Sequence, residues 1–207
     1  DFLKQKLICC YKTNIVHYSI PNTVISIGKE AFDGCKSLRS INIPASVVSI
    51  GEKAFSGCDI KEINIESNNF SIDENCLFDF LKQKLICCYK TNIVHYSIPE
   101  SVTSIGKEAF CGCSSLHSVH ISDSVTSIGE GAFCGCSSLL SIRISDSVTS
   151  IGEGAFSSCK SILQRIIIPK GTSKKFEKLL PEYRYSYTKD GHDVLTKKST
   201  YVDDLPF

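Results

Sequence analysis

ISDSVTSIGEGAF is the reading of residues 121–133, and the same thirteen letters return at residues 144–156. Looser copies start at Ile20, Ile43 and Ile98, so the phrase recurs at a spacing close to 23 residues. Self-similarity at a fixed period of about 20–50 residues marks stacked repeats, in which each unit buries its apolar side against the next. Counted from the leading Ile, the units run 20–42, 43–64, 65–97, 98–120, 121–143 and 144–167, with 1–19 as a partial unit. Unit 65–97 has 33 residues where the others have 22 to 24. Residues 1–21 also recur unchanged as residues 79–99, an offset of 78 that equals one set of three units. Because the chain opens on Asp1-Phe2 and contains no Met, the missing front half of the partial unit is expected upstream.

Within unit 98–120 the apolar positions are Ile98, Val102, Ile105, Ala109, Phe110, Cys113, Leu116 and Val119. Leu116-x-x-Val119-x-Ile121 has the alternation of a short strand with one face inward. Val102-x-x-Ile105-Gly106 is a second short extended piece, and Lys107–Phe110 is expected to form one helical or 3₁₀ turn. Cys35, Cys58, Cys113, Cys136 and Cys159 each stand three residues after the Phe of an Ala-Phe pair. A Cys that recurs once per unit reads as a buried ladder, because Cys behaves as a small hydrophobe. A single rung cannot offset the entropy of ordering itself, so neighbours must share one core and one set of strand bonds.

Composition removes several classes of function. Hydrophobic residues make up 42% of the chain, enough to build an interior. The net charge of +1, with no long basic run, does not indicate a nucleic-acid partner. No run of about eighteen apolar residues exists to span a membrane, and no segment reads as a secretory signal.

The strand phrase LxxIxI is half of the leucine-rich-repeat signature. IPASVVSIGEKAFSGC at 43–58, IPESVTSIGKEAFCGCSSLHSVHI at 98–121 and the two phrases at 121 and 144 resemble the BspA-like, or Treponema pallidum-type, leucine-rich repeats of bacterial surface proteins. The resemblance covers residues 20–169 and extends into the long unit, where SIDENCLFDFLKQKLICCYK resembles the inserted hairpin of that family. It implies a right-handed leucine-rich-repeat solenoid over 1–169: an α/β repeat of about six rungs, with short parallel strands and short helical turns. Where the standard signature has Asn or Cys after the strand, this chain has Thr23, Ser46, Asn68, Ser101, Ser124, Ser147 and Gly171. A different loop bond and a flatter turn are therefore expected.

The resemblance further implies a cell-surface or secreted location and a non-catalytic scaffold that binds host or extracellular-matrix protein, or glycan. A recognition or spacer module of a larger secreted enzyme or surface assembly is the alternative, and a purely structural spacer is a third. No cofactor is implied.

After Pro169 the pattern stops, and 170–207 reads as a cap and tail. Thr172 or Ser173 can start a helix that runs to about Leu180, before Pro181, with Phe176, Leu179 and Leu180 covering the last rung. YRYSYTKDGHDVL at 183–195 reads as a hairpin around Asp190-Gly191, expected to fold back beside the cap.

Candidate chemistry is sparse. Cys111-x-Cys113 and Cys134-x-Cys136 stand one rung apart, which leaves three readings open: a four-thiolate metal set, a Cys111–Cys134 disulfide, or unrelated thiols. For the neighbours Cys9-Cys10 and Cys87-Cys88, strand alternation sends one sulfur inward and one outward. His117 and His120 are three apart and fall on opposite faces of a strand. No set of nucleophile, base and orienting group stands out. What remains is the outward strand face, in columns Ser40, Glu62, Ser118, Ser141, Arg165 and Asn42, Asn64, His120, Arg143, Ile167. Its C-terminal end gathers His120, Arg143 and Arg165, so an acidic or glycan-carboxylate partner would suit it. His120, Arg143, Arg165, Asn42, Asn64, Ser118 and Ser141 are the candidate interaction residues.

Overall fold

The structure, a computed structural model, describes residues 5–8, 14–73, 75–90, 92–159, 165–187 and 193–197. Its first part contains strands β1 (Lys6–Leu7), β2 (His17–Ser19), β3 (Ser26–Ile27), β4 (Ser40–Ile43), β5 (Ser49–Ile50) and β6 (Glu62–Ile65). The long unit adds β7 (Phe70–Ile72), β8 (Cys76–Asp79) and β9 (Lys84–Cys88). Then follow β10 (His95–Ser97), β11 (Ser104–Ile105), β12 (Ser118–His120), β13 (Ser127–Ile128), β14 (Ser141–Arg143), β15 (Ser150–Ile151) and β16 (Arg165–Ile168). Helix α1 (Ser173–Leu179) and the hairpin β17 (Tyr183–Tyr187) and β18 (Asp193–Lys197) close the chain.

Each regular rung contributes one longer strand and one two-residue strand to two parallel ladders. Tyr18, Ile41 and Ile63 are register partners in one ladder, and Tyr96, Val119, Ile142 and Ile166 in another. The short Ser-Ile strands pair in register on a separate side, as Ser104, Ser127 and Ser150 do. The result is a solenoid of short parallel strands.

The expected helical turn is absent. Among the described residues α1 is the only helix, and the KEAF and EGAF segments are successive turns. Ala109 and Cys113 donate to the Gly106 and Phe110 carbonyls at 3.3 and 3.1 Å. A helix cannot continue because Glu30, Lys53, Glu108, Gly131 and Gly154, all at the same place in the unit, have φ between 54° and 61°. The left-handed region favours Gly, and two rungs supply it there. The glycine after Ser-Ile answers a different need. A Cβ on Gly129 would lie 2.6 Å from the Gly106 carbonyl carbon, since the backbones of successive rungs pass that close.

Inside the rungs, identical side chains stack. Phe110 lies 5.1 Å from Phe133, which lies 5.6 Å from Phe156, all with nearly parallel rings. Phe32 and Phe55 form a separate stack at 5.5 Å. Tyr18 and Tyr96, at matching places in the two copies of the duplicated segment, meet the first Phe of each stack at 5.6 Å. The Cys ladder runs alongside: the thiols of Cys58, Cys136 and Cys159 donate to the carbonyls of Phe32, Phe110 and Phe133 at 3.1 to 3.2 Å. Hydroxyls replace the Asn of the standard signature by donating to the Val carbonyl one rung back. Ser46, Ser124 and Ser147 reach Val24, Val102 and Val125 at 2.7 to 2.8 Å. In the long unit that role falls to buried Ser67, which donates to the Val47 carbonyl at 2.6 Å, and not to the expected Asn68.

The long unit is a wall between two cores. Strand β8 pairs antiparallel with β7 on one side and β9 on the other, and β9 joins the ladder of short strands by pairing parallel with β11. Cys76, Phe78, Leu85 and Cys88 face the core of the later rungs, whereas Leu77, Cys87 and Tyr89 face the core of the earlier ones. Leu77 pairs with Cys87 but Phe78 pairs with Leu85, which leaves Ile86 as the extra residue of a bulge. A bulge re-aims the side chains on either side of it, so Leu85 and Cys87 serve different cores. Cys87 and Cys88 do point opposite ways, but neither points outward, because both faces of the strand are covered. Cys9 and Cys10 lie outside the described residues.

At the end of the chain, Phe176 and Leu180 of the capping segment are buried and Leu179 packs against them. Thr172 precedes α1, but its hydroxyl donates to the Pro169 carbonyl at 2.6 Å and gives the helix no side-chain cap. The tail does more than lie beside the cap: β18 pairs antiparallel with β16 and β17 pairs with β18, which ends the parallel ladder. The Asp193 carboxylate, buried there, accepts from the Gly171 N–H at 2.8 Å. The expected turn at Asp190-Gly191 lies outside the described residues.

Replacing Phe133, stacked on both sides, by Ala should cost about 3–5 kcal/mol in urea unfolding. Ser124→Ala, which leaves the Val102 carbonyl without its donor, should cost about 1–3 kcal/mol.

Candidate interaction face

The side chains that alternate with the buried ladder residues point outward, and register decides which of them meet. In the later sheet His95, Ser118, Ser141 and Arg165 are in line, and so are Ser97, His120, Arg143 and Ile167. His120 and Arg143 are thus neighbours on adjacent strands, and both are exposed. Ser118 and Ser141 are half-buried beside them, and the His95 ring nitrogen Nδ1 is 2.8 Å from the Ser118 hydroxyl. For Arg165 the register is described and the side chain is not.

The expected columns are not continuous. Asn42 and Asn64 belong to the earlier sheet, where they pair with each other and Asn42 donates to the Ser19 hydroxyl at 3.1 Å. Among the described strands that sheet ends at β6 and the later one begins at β10, with the long unit between them. The hairpin strands of that unit pair with the ladder of short strands, so no strand carries the outward columns across. Asn42 and Asn64 are therefore not part of the His120–Arg143 face.

A cavity of about 290 Å³ opens at the end of this face, lined by His120, Asp123, Arg143, Ser145 and Lys170 over a floor of Ile121, Ile144, Ile167, Ile168 and Pro169. Among the described residues neither the His120 ring nor the Arg143 guanidinium has a side-chain hydrogen bond or ion pair. One carboxylate, Asp123, shares the lining with Arg143 and Lys170. The arrangement offers a planar fork of donors and an ammonium above an apolar floor. That combination suits a carboxylate attached to an apolar or sugar body, because a guanidinium binds carboxylates in a bidentate way.

The cavity and its Lys170 have no signal in the sequence beyond the loss of pattern at Pro169. A solenoid's last turn must leave its sheet, and the departing segment makes the cavity's end. The His95–Ser118 contact recurs at His17 and Ser40 (2.6 Å), as the duplication requires. His117 precedes the strand and is exposed like His120, with its ring 6.4 Å from that of His95.

The four sulfurs that could have formed one set are divided. Cys113 and Cys136 are buried ladder residues, while Cys111 and Cys134 lie half-buried on the outer turn. Among the described residues no group of three or more His, Cys, Asp or Glu side chains is arranged to hold a metal ion. No described helix is long and apolar enough to cross a membrane.

Stacked parallel rungs, a one-sided outward face and an inserted hairpin together define a leucine-rich-repeat scaffold. The family model for the BspA type leucine rich repeat region matches residues 6–86 and 83–180, in six copies, and the chain belongs to that family. A leucine-rich repeat protein from Eubacterium ventriosum is similar in structure, with a TM-score of 0.59 and 24% identity over 75% of this chain and 54% of that one. The pneumococcal vaccine antigen PcpA is similar too, with a TM-score of 0.59 and 22% identity over 73% of this chain and 44% of that one. This chain therefore spans about half the length of those proteins. Among curated proteins no sequence matches.

His120 and Arg143 can be removed without touching the core. His120→Ala and Arg143→Ala should each change the unfolding free energy by less than about 0.5 kcal/mol. Ile142→Ala, one residue away on the inward face, should cost about 2–5 kcal/mol.

Proposed function

We propose that this chain is a non-catalytic adhesion scaffold of a bacterial cell-surface or secreted protein, and that its later sheet face binds carboxylate-bearing groups of host or extracellular-matrix protein or glycan. The observation that carries this reading is the adjacent, exposed pair His120 and Arg143, without an ion pair among the described residues, at the mouth of the cavity, with Lys170 on its rim. Family membership supports it, because BspA-type repeats are those of bacterial surface proteins and solenoids offer extended faces for binding. Each element has its role: the parallel register holds His120 beside Arg143, the end of the ladder supplies the apolar floor, and Lys170 adds a second fixed positive charge.

Because the positive groups sit on an exposed face, screening by salt should weaken the interaction. Binding of the full chain to immobilised extracellular-matrix proteins and to carboxylate-bearing glycans is the test. Raising the salt from about 0.05 to 0.5 M should weaken capture, and Arg143→Glu or His120→Glu should lower affinity several-fold. Affinity that both charge reversals leave unchanged would remove this face from the binding site.

A further inference from the structure

Among the described residues thiols approach one another in two places, the buried group Cys76, Cys88 and Cys113 and the pair Cys111 and Cys134, which differ in access. Cys76 and Cys88 are opposite one another across β8 and β9, but both are buried and Cys88 donates to the Lys90 carbonyl at 3.0 Å. Cys111 and Cys134 hold the same place in successive rungs, directly after Phe110 and Phe133, and both reach solvent. Phe110 N–H donates to the Ala132 carbonyl at 2.7 Å and Gly112 N–H to the Cys134 carbonyl at 2.9 Å. These two bonds flank Cys111 and set it in line with Cys134. Adjacent strands lie about 4.8 Å apart, inside the Cα separation of roughly 4.4–6.8 Å that a disulfide spans.

The same column carries Asp33, Ser56 and Ser157 in the other rungs. Stacking therefore does not require sulfur at this place, and Cys stands in the two rungs that adjoin. The two thiols are near enough to influence one another's ionisation.

We propose that Cys111 and Cys134 form a reversible rung-to-rung disulfide, a modification site that staples the outer turns of two successive units. The oxidant is a low-molecular-weight disulfide. A thiolate of the pair attacks one of its sulfurs, releasing the first small thiol and leaving a mixed disulfide on the protein. The neighbouring thiolate attacks that bond, releases the second small thiol and closes the Cys111–Cys134 link. Two protein thiols lose two protons and two electrons, and one small disulfide becomes two small thiols. Burial, and then the neighbouring Cys134, push the Cys111 thiol up to about 11, against the pull of the Lys53 ammonium. Attack by Cys111 should therefore quicken about tenfold for each unit by which the pH rises toward that value, as its thiolate fraction grows.

The full chain, reduced and then incubated with oxidised glutathione, should lose about 2 Da and keep no glutathione adduct. Cleavage after Glu130 separates the two sites, so an unreduced digest should yield the segments containing Cys111 and Cys134 joined. The link should be missing from Cys111→Ser and from Cys134→Ser. Both variants should retain the fold of the parent, since Ser56 and Ser157 already occupy that column. Stable glutathione adducts on either cysteine, a link routed through Cys113 or Cys136, a link between two chains, or no reaction would each overturn the proposal.

Discussion

Every rung of this protein completes the hydrogen bonds of its neighbour. The Phe32, Phe110 and Phe133 amides donate to the Ala54, Ala132 and Ala155 carbonyls at 2.7 to 2.8 Å, and the Gly amides at 51, 106, 129 and 152 bond one rung back at 2.8 to 2.9 Å. Buried backbone groups left without partners cost as much as a lost hydrogen bond, so a rung by itself would be both short of core and full of unpaired amides. Close approach is the condition for all of these bonds. It is what forces Gly after each Ser-Ile strand, stacks the Phe rings, and brings the Cys58, Cys136 and Cys159 thiols to the Phe carbonyl of the rung before.

The same condition explains why the long unit matters. A rung that lacks the Ala-Phe turn cannot continue the Phe stack, and the two stacks, 32–55 and 110–133–156, belong to different cores. The hairpin fills the gap with apolar side chains on both faces, re-aimed by the bulge at Ile86. Across the outer turns the two halves are also joined by charge: Lys53 donates to Glu108 at 3.0 Å, and that bond is the main cause of the raised Lys53 pKa. Each half thus keeps its own parallel sheet and its own outward face, one presenting Asn42 and Asn64, the other His120 and Arg143.

The period, the inward positions and the Cys ladder were legible in the sequence because they recur, and recurrence is what stacking demands. Register was legible for the same reason. A constant spacing of 23 residues puts Ser118 opposite Ser141, and His120 opposite Arg143, with no other information. What could not be read were features fixed by a single event. The break between the two sheets depends on which ladder the hairpin joins, and nothing in residues 70–88 states that β9 pairs with β11 instead of extending β6. The turn in place of a helix hangs on left-handed φ at Glu30, Lys53 and Glu108, residues whose type does not call for it. Ser67 in place of Asn68 is a one-residue shift within the loop that follows β6, since Ile65 is still in register with Ile43.

Repetition also sorts the residues by what they are free to do. A position that must satisfy the rung above and the rung below keeps its identity, as Val, Ile, Ala and Phe do through the phrase at 121 and 144. Positions that vary from rung to rung have been released from that duty, and the site candidates lie there. The outer column reads Asp33, Ser56, Cys111, Cys134, Ser157, and the outward strand column reads Asn42, Asn64 in one half and His120, Arg143 in the other. In both, the residues that depart from their column are adjacent, because one rung's departure is brought by register against the next rung's. Two departures in neighbouring rungs make a local pair of side chains, held at ladder spacing by a backbone that does not depend on them. A stacked fold can therefore acquire a charged pair or a thiol pair without repacking its core.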